Sequence, residues 1–268
     1  MRLRLLGSQD WSTEDKCFIV STGRTGTKFF AHFLNQFSST YAVHEPSPAL
    51  LRLGINYARN KVTKQYATQK IERYRRPMCK QVKRENVDKY IESNNRFFSL
   101  LEPLNKVFKQ SKIIHIVRDG RDYVRSGMSR NWYTEDDKSH SRLRAIYFPD
   151  DPYYDQWDKM SRFEKICWRW QKKDGFILDS ITNVSNVITV KFEDIFKDEN
   201  YSGLYKITDY LELDRSEVET MVEKMMNKRV NSTKDYEISK WPNWRSERKE
   251  KFDEIAGEHM KNYYDYKW

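Results

Sequence analysis

Cysteine is scarce and scattered. Cys17, Cys79 and Cys167 are the only three in 268 residues, and no two form a C-x-x-C pair. This spacing offers neither a zinc site nor a disulfide framework, and it suits a reducing compartment. No run of about 18 apolar residues occurs, and the stretch from Met1 to Asp10 lacks a long apolar core. The expectation is a cytoplasmic protein with no membrane span. Internal repeats and low-complexity tracts are also missing. Two familiar phosphate-binding patterns are absent. There is no G-x-G-x-x-G, which argues against a dinucleotide fingerprint. Nor is there a G-x-x-x-x-G-K-[ST] loop, because Lys28 is followed by Phe29 and the Mg²⁺-holding hydroxyl is lacking.

What is present is charge and aromatic surface. Charged residues make up 33% and aromatics 15%, and the formal net charge is +10. A basic balance suggests an anionic partner without choosing between a nucleotide, an acidic glycan, nucleic acid or a membrane surface. The length suits one sizeable core. The reading is a single domain over 1–268, with 1–15 as an N-terminal extension.

The stretch from 17 to 30 organises the rest. An apolar run, Cys17 to Val20, ends in a loop with Gly23 and Gly26. An amphipathic segment follows, with Phe29, Phe30, Phe33, Leu34 and Phe37 on one helical face. Strand, small-residue loop and helix make a phosphate cradle. Glycine lets the backbone approach an anion, and helix-start N–H groups favour negative charge. Arg24 and Lys28 add cations there. An ordinary strand-to-helix turn with solvated Arg and Lys is the plainer alternative.

Further along, Tyr41 to His44 reads as a strand running into Glu45-Pro46-Ser47-Pro48. Glu45 or His44 at that strand end could serve as a general base, or Glu45 could cap a helix or pair with Arg52. Residues 49–76 read as a basic helical stretch that Pro77 stops. Residues 87–92 suggest a strand. Phe97, Leu100, Leu101, Leu104 and Phe108 form one helical face, with Pro103 kinking it or marking a restart. Lys112 to Val117 is a buried strand ending in Arg118-Asp119-Gly120-Arg121-Asp122-Tyr123-Val124-Arg125-Ser126. An arginine fork and a hydroxyl there suit phosphate; a surface salt-bridge ladder is the alternative. His115 reads as a core histidine. Residues 130–160 form an aromatic segment of low periodicity, a lid or acceptor loop able to stack on sugar rings or a phenol. A helix carrying Phe163, Ile166, Cys167, Trp170, Ile177 and Ile181 follows, then another buried strand at 187–192, two helical segments over 201–226, a polar loop at 227–243 and a C-terminal helix. The alternation gives an α/β fold with a mainly parallel sheet flanked by helices.

With both strand-end clusters in view, the chain resembles the sulfotransferases that use 3′-phosphoadenosine 5′-phosphosulfate (PAPS). Arg24-Thr25-Gly26-Thr27-Lys28 matches their [K/R]-[S/T]-G-[T/S]-[T/S] loop except at Lys28. Arg118 to Ser126 matches R-D-[P/G]-R-D-x-x-x-S, and Phe192-Glu193-Asp194-Ile195 matches [Y/F]-E-D-[L/I]. The resemblance implies a nucleotide-kinase-like P-loop fold and transfer of a sulfuryl group from PAPS to a hydroxyl, with no metal required. It implies that Gly23, Arg24, Thr25, Gly26, Thr27 and Lys28 cradle the 5′ phosphosulfate and that Arg118 and Ser126 hold the 3′ phosphate. Arg229 in the polar loop joins the nucleotide-binding set. Glu45, in a Glu-Pro pair like that of carbohydrate-sulfating members, is implied as the base, with His44 beside it, and Arg24 stabilises the leaving phosphate. The acceptor is then a hydroxyl on a glycan, glycolipid or small molecule. Two other classes compete: a kinase-like ATP-dependent transferase, and a non-enzymatic basic binding module using the 52–84 face.

Overall fold

The computed structural model describes residues 15–137, 142–226 and 235–266. Five parallel strands form one sheet in the order β2-β3-β1-β4-β5. In chain order these are β1 (Asp15–Ser21), β2 (Thr40–His44), β3 (Lys89–Ser93), β4 (Lys112–Val117) and β5 (Val187–Lys191). β1 and β4 are buried on both faces almost throughout, whereas β2 and β5 are only partly buried. The continuous apolar runs of β1 and β4 lie in the middle of the sheet; β5, expected to be another buried strand, lies at an edge and is mostly half-buried, because it has a neighbour on one side only.

Successive residues of β1 point to opposite faces, and they feed two cores. Phe18 and Val20 join the core built with α2 (Leu51–Ala58), α3 (Lys64–Glu85), α4 (Leu101–Val107), α5 (Gly120–Met128) and α6 (Arg162–Ile181). Cys17 and Ile19 join the core built with α1 (Thr27–Leu34), α7 (Phe192–Phe196), α8 (Ser202–Tyr210) and α9 (Arg215–Met226). The C-terminal segment, α10 (Ser246–Phe252) and α11 (Glu258–Tyr264) joined by a π-helical turn, returns to the first core through Phe252, Ile255 and Met260.

One expectation is corrected here. The stretch 49–76 is two helices, α2 and α3, and Pro77 lies inside α3 instead of ending it. An interior proline costs about 3 kcal/mol. Packing on both sides of Pro77 offsets it: Ala67, Ile71 and Val82 are buried, and so is Arg75, which forms an ion pair with Glu92. Pro103 does mark a restart, since it falls in the first turn of α4, where its missing N–H would have had no helical partner.

The described part of the 130–160 segment holds one 3-10 turn (Ala145–Tyr147) and packs on the body through Leu143, Ala145, Trp157 and Met160. Asp151 ties it to α6 by accepting from Trp168 Nε1 at 3.0 Å and pairing with Lys172 Nζ at 2.9 Å. His115 is a core histidine, as expected. It shares the buried carboxylate of Asp174 with His259 of α11, at 3.1 and 2.8 Å. Tyr264 also donates to that carboxylate.

Candidate functional site

The first two functional loops leave neighbouring strands, β1 and β4, at the same carboxyl end of the sheet. In the loop after β1, φ is +98° at Gly23, +62° at Arg24 and +78° at Gly26. Backbone of this kind curls its N–H groups around a concavity that favours anions. A Cβ on Gly26 would stand 2.9 Å from the Phe196 ring, so glycine is needed for space as well as for φ. Gly26 is also the N-cap of α1 and brings no side-chain cap, leaving the first-turn donors to a ligand or water. Ser21 Oγ braces the loop by accepting from Gly23 N at 3.1 Å and from Thr25 Oγ1 at 2.7 Å. Thr25 is therefore buried, Thr27 half-buried and Lys28 exposed.

The loop after β4 brings the second cluster onto the first. Asp119 caps α5 by accepting from Arg121 N at 2.8 Å. Arg118 lies with its guanidinium carbon 4.4 Å from the centre of the Phe192 ring. Its Nη1 donates to the Arg24 carbonyl at 2.6 Å, and its buried Nε has no partner. Arg24 Nε in turn donates to Ser126 Oγ at 2.8 Å, joining residues 102 apart in sequence. Burial, then Arg130 and Arg118, pull the Arg24 pKa down from its ordinary value. Cations crowded in this way are stabilised by an anion.

A third loop, after β3, supplies what the sequence reading missed. Glu45, at φ +42° just past β2, accepts from Asn95 Nδ2 and pairs with Arg96 Nη2 at 2.8 Å, not with Arg52. His44 Nδ1 lies 3.2 Å from the Ser93 carbonyl, which fixes its ring to β3. The Asn95 side chain lies against Gly23, 3.6 Å from where a Cβ would stand, so one residue separates the carboxylate from the loop. Beneath both, Lys173 of α6 donates to the Thr22 carbonyl at 2.8 Å and the Asn95 carbonyl at 3.2 Å. Burial, with Arg169 and Arg96 nearby, holds its pKa well below the usual lysine range. A lysine on the Ile166, Trp170, Ile177 stripe was the available signal, because a charge on an apolar helical face needs a buried partner. Asn95 and Arg96 were signalled by their place at a strand end.

Gly23 through Lys28, Arg118 and Ser126 thus meet at one place, with Glu45 and His44 at its flank. Arg229 lies outside the described residues. Phe29, where a nucleotide hydrolase would have its hydroxyl, packs its ring on Phe33 and Phe196 at 5.5 and 5.0 Å. Among the described residues no group of three or more His, Cys, Asp or Glu side chains could hold a metal ion, and no helix is long and apolar enough to cross a membrane.

The sequence model of the sulfotransferase domain matches residues 14–267. No relative was found among curated proteins. Among solved structures, the sulfotransferase STF9 from Mycobacterium avium is similar with a TM-score of 0.56 at 11% identity, over 96% of this chain and 79% of that one. Mouse sulfotransferase SULT7A1, solved in complex with PAP, matches with a TM-score of 0.50 at 17% identity, over 94% and 88%. At such identities the structures speak for the fold, which is the α/β architecture described above. The family match covers nearly the whole chain, so the protein belongs to the sulfotransferases, enzymes that move a sulfuryl group from PAPS to an acceptor hydroxyl.

Proposed function

We propose that this chain binds PAPS across its first and fourth strand ends and delivers the sulfuryl group to a hydroxyl on a carbohydrate or glycolipid, with Glu45 as the base. The convergence of Arg24, Arg118 and Ser126 on one loop, with Glu45 one residue away, carries the reading. The fit to the donor is physical. A loop of left-handed φ values, a helix start without a side-chain cap and a buried, unpartnered Arg118 Nε are donors awaiting oxyanions.

PAPS supplies an activated sulfuryl group on a phosphate leaving group. The chain supplies position and charge. Arg118 and Ser126 are assigned to the 3′ phosphate, and the amides of residues 24 to 28 to the 5′ end. Arg24, with those amides, stabilises charge that grows on the leaving oxygen. Lys28, exposed in the first turn of α1, adds a further cation beside the loop. Glu45 takes the acceptor proton, its carboxylate aimed by Asn95 and Arg96. His44, with Nδ1 on a backbone carbonyl, keeps Nε2 as the second candidate base. The described part of the 130–160 segment, rich in aromatic rings, is the acceptor wall in this reading. The buried, unpaired Cys17 and Cys167 accord with a reducing, cytoplasmic setting.

The test is PAP release from PAPS with a panel of glycosides and phenols. Release with sugar hydroxyls, lost in Glu45→Gln, supports the reading. Release with phenols alone refutes the carbohydrate assignment.

A further inference from the structure

Arg169 is a half-buried cation, two of whose donors are buried with nothing to bind. It sits on α6 one turn before Lys173, on the same helical face. Its guanidinium carbon lies 4.1 Å from the centre of the Trp132 ring. Its Nε and Nη1 are buried without a hydrogen-bond partner, and among the described residues no carboxylate pairs with it. A buried donor left unmade costs about 1–3 kcal/mol, and more when charged. Such a group calls for an explanation.

Its neighbours share the condition. The Tyr123 ring lies 5.8 Å from Trp132, and its hydroxyl is buried without a partner. Arg169, Arg24 and Arg142 all act electrostatically on that phenol, opposing the upward pull of burial on its pKa. Arg144 Nε is likewise buried and unpartnered, and Arg144 acts with Arg169 on Tyr133. Among the described residues, Arg142 is the one of these cations paired with a carboxylate, Asp137. The cluster therefore runs from Arg24, at the donor loop, to the aromatic 130–160 segment.

We propose that Arg169, with Tyr123 and Arg144, forms an oxyanion subsite beside the donor loop, and that it receives a carboxylate or similar anionic group of the acceptor. The proposal rests on the sulfotransferase reading and narrows its acceptor to an anionic hydroxyl compound. The subsite lies on the base's side of the loop. Lys173, one turn from Arg169, bonds to Asn95, which holds Glu45. The donor's phosphates already have Arg24, Arg118 and the start of α1. Trp132, with Arg169 at 4.1 Å and Arg142 at 5.5 Å from its ring centre, holds these cations in place.

The experiment compares 4-nitrophenyl β-D-glucuronide with 4-nitrophenyl β-D-glucoside on the PAP-saturated protein, read by tryptophan fluorescence. The two probes differ in one carboxylate. The expected result is at least about tenfold tighter binding of the glucuronide, as a charged hydrogen bond gives. Arg169→Gln is expected to bring the ratio to about one, with PAP affinity unchanged within about twofold. Tyr123→Phe, which removes only a hydroxyl, is expected to lower the ratio part of the way. Equal binding of the two probes by the unaltered protein overturns the subsite and needs no variant. A PAP affinity that falls tenfold in Arg169→Gln, with the probe ratio kept, assigns Arg169 to the donor and also overturns it. If PAP does not bind at all, the sulfotransferase reading fails. The probe ratio measured without PAP then still decides the subsite, and a ratio of one overturns it.

Discussion

Replacing Arg75 by methionine should unfold much of what holds the candidate base in place. Arg75 and Glu92 are fully buried. Arg75 donates to Glu92 twice, from Nε at 2.7 Å and Nη2 at 2.8 Å, and Nη1 reaches the Pro48 carbonyl at 3.0 Å. Glu92 also accepts from Tyr90 OH and Asn94 Nδ2, each at 2.8 Å. Arg75→Met leaves the carboxylate with two neutral donors in a dry interior. Breaking one side of such a pair costs about 3–5 kcal/mol. Domains have about 5–15 kcal/mol in total, and each kcal/mol moves Tm by about 2–4 °C at this size. The expected loss is therefore about 6–20 °C, with the urea midpoint falling and the slope unchanged.

The double change Arg75→Met with Glu92→Leu removes both charges and should recover part of the loss. It should not reach the original stability, because Tyr90 OH and Asn94 Nδ2 lose their acceptor at about 1–3 kcal/mol each. Adding Tyr90→Phe should recover one of those terms. A single-variant loss below about 1 kcal/mol refutes the reasoning, as does a double variant less stable than the single. The effect bears on function because Asn94 precedes Asn95 and Arg96, which hold Glu45.

Glu45→Gln should leave PAP affinity intact and lower kcat by about 10²–10⁴; full turnover would move the base to His44 or elsewhere. Lys173→Met leaves the Thr22 and Asn95 carbonyls without their donor and should cost the fold about 1–3 kcal/mol; an unchanged urea midpoint would contradict this. His115 and His259 hold the Asp174 carboxyl well below the usual carboxylate range against the upward pull of burial. A depressed folded pKa gives stability that is present above the unfolded value, about 3.9, and drains as pH falls toward the folded one. Urea midpoints between about pH 5 and pH 2 should therefore fall more steeply for the unaltered protein than for Asp174→Asn, and parallel curves would refute the linkage.

The parallel sheet was legible because apolar runs such as Cys17–Val20 and Lys112–Val117 mark strands; the place of β5 was not, since 187–190 is as apolar but lies at the edge, mostly half-buried. The meeting of the two loops was legible because each follows a buried strand of one parallel sheet. α3 was misjudged at Pro77, since a local breaker says nothing of the buried Arg75–Glu92 pair that offsets it. Asn95, Arg96, Lys173 and Arg169 were missed for a related reason. The first three depend on partners 50 to 151 residues away, Arg169 stacks on Trp132 from another element, and a single sequence carries no mark of such pairings beyond a charge on an apolar stripe.

The most direct measurement is calorimetric titration of PAP into the unaltered protein and into Arg118→Ala. The account predicts one PAP site, weakened by about 1.5–3 kcal/mol in the variant through loss of a charged hydrogen bond to the 3′ phosphate. No PAP binding by the unaltered protein, binding of ATP with Mg²⁺ in its place, or equal PAP affinity in both proteins would contradict it.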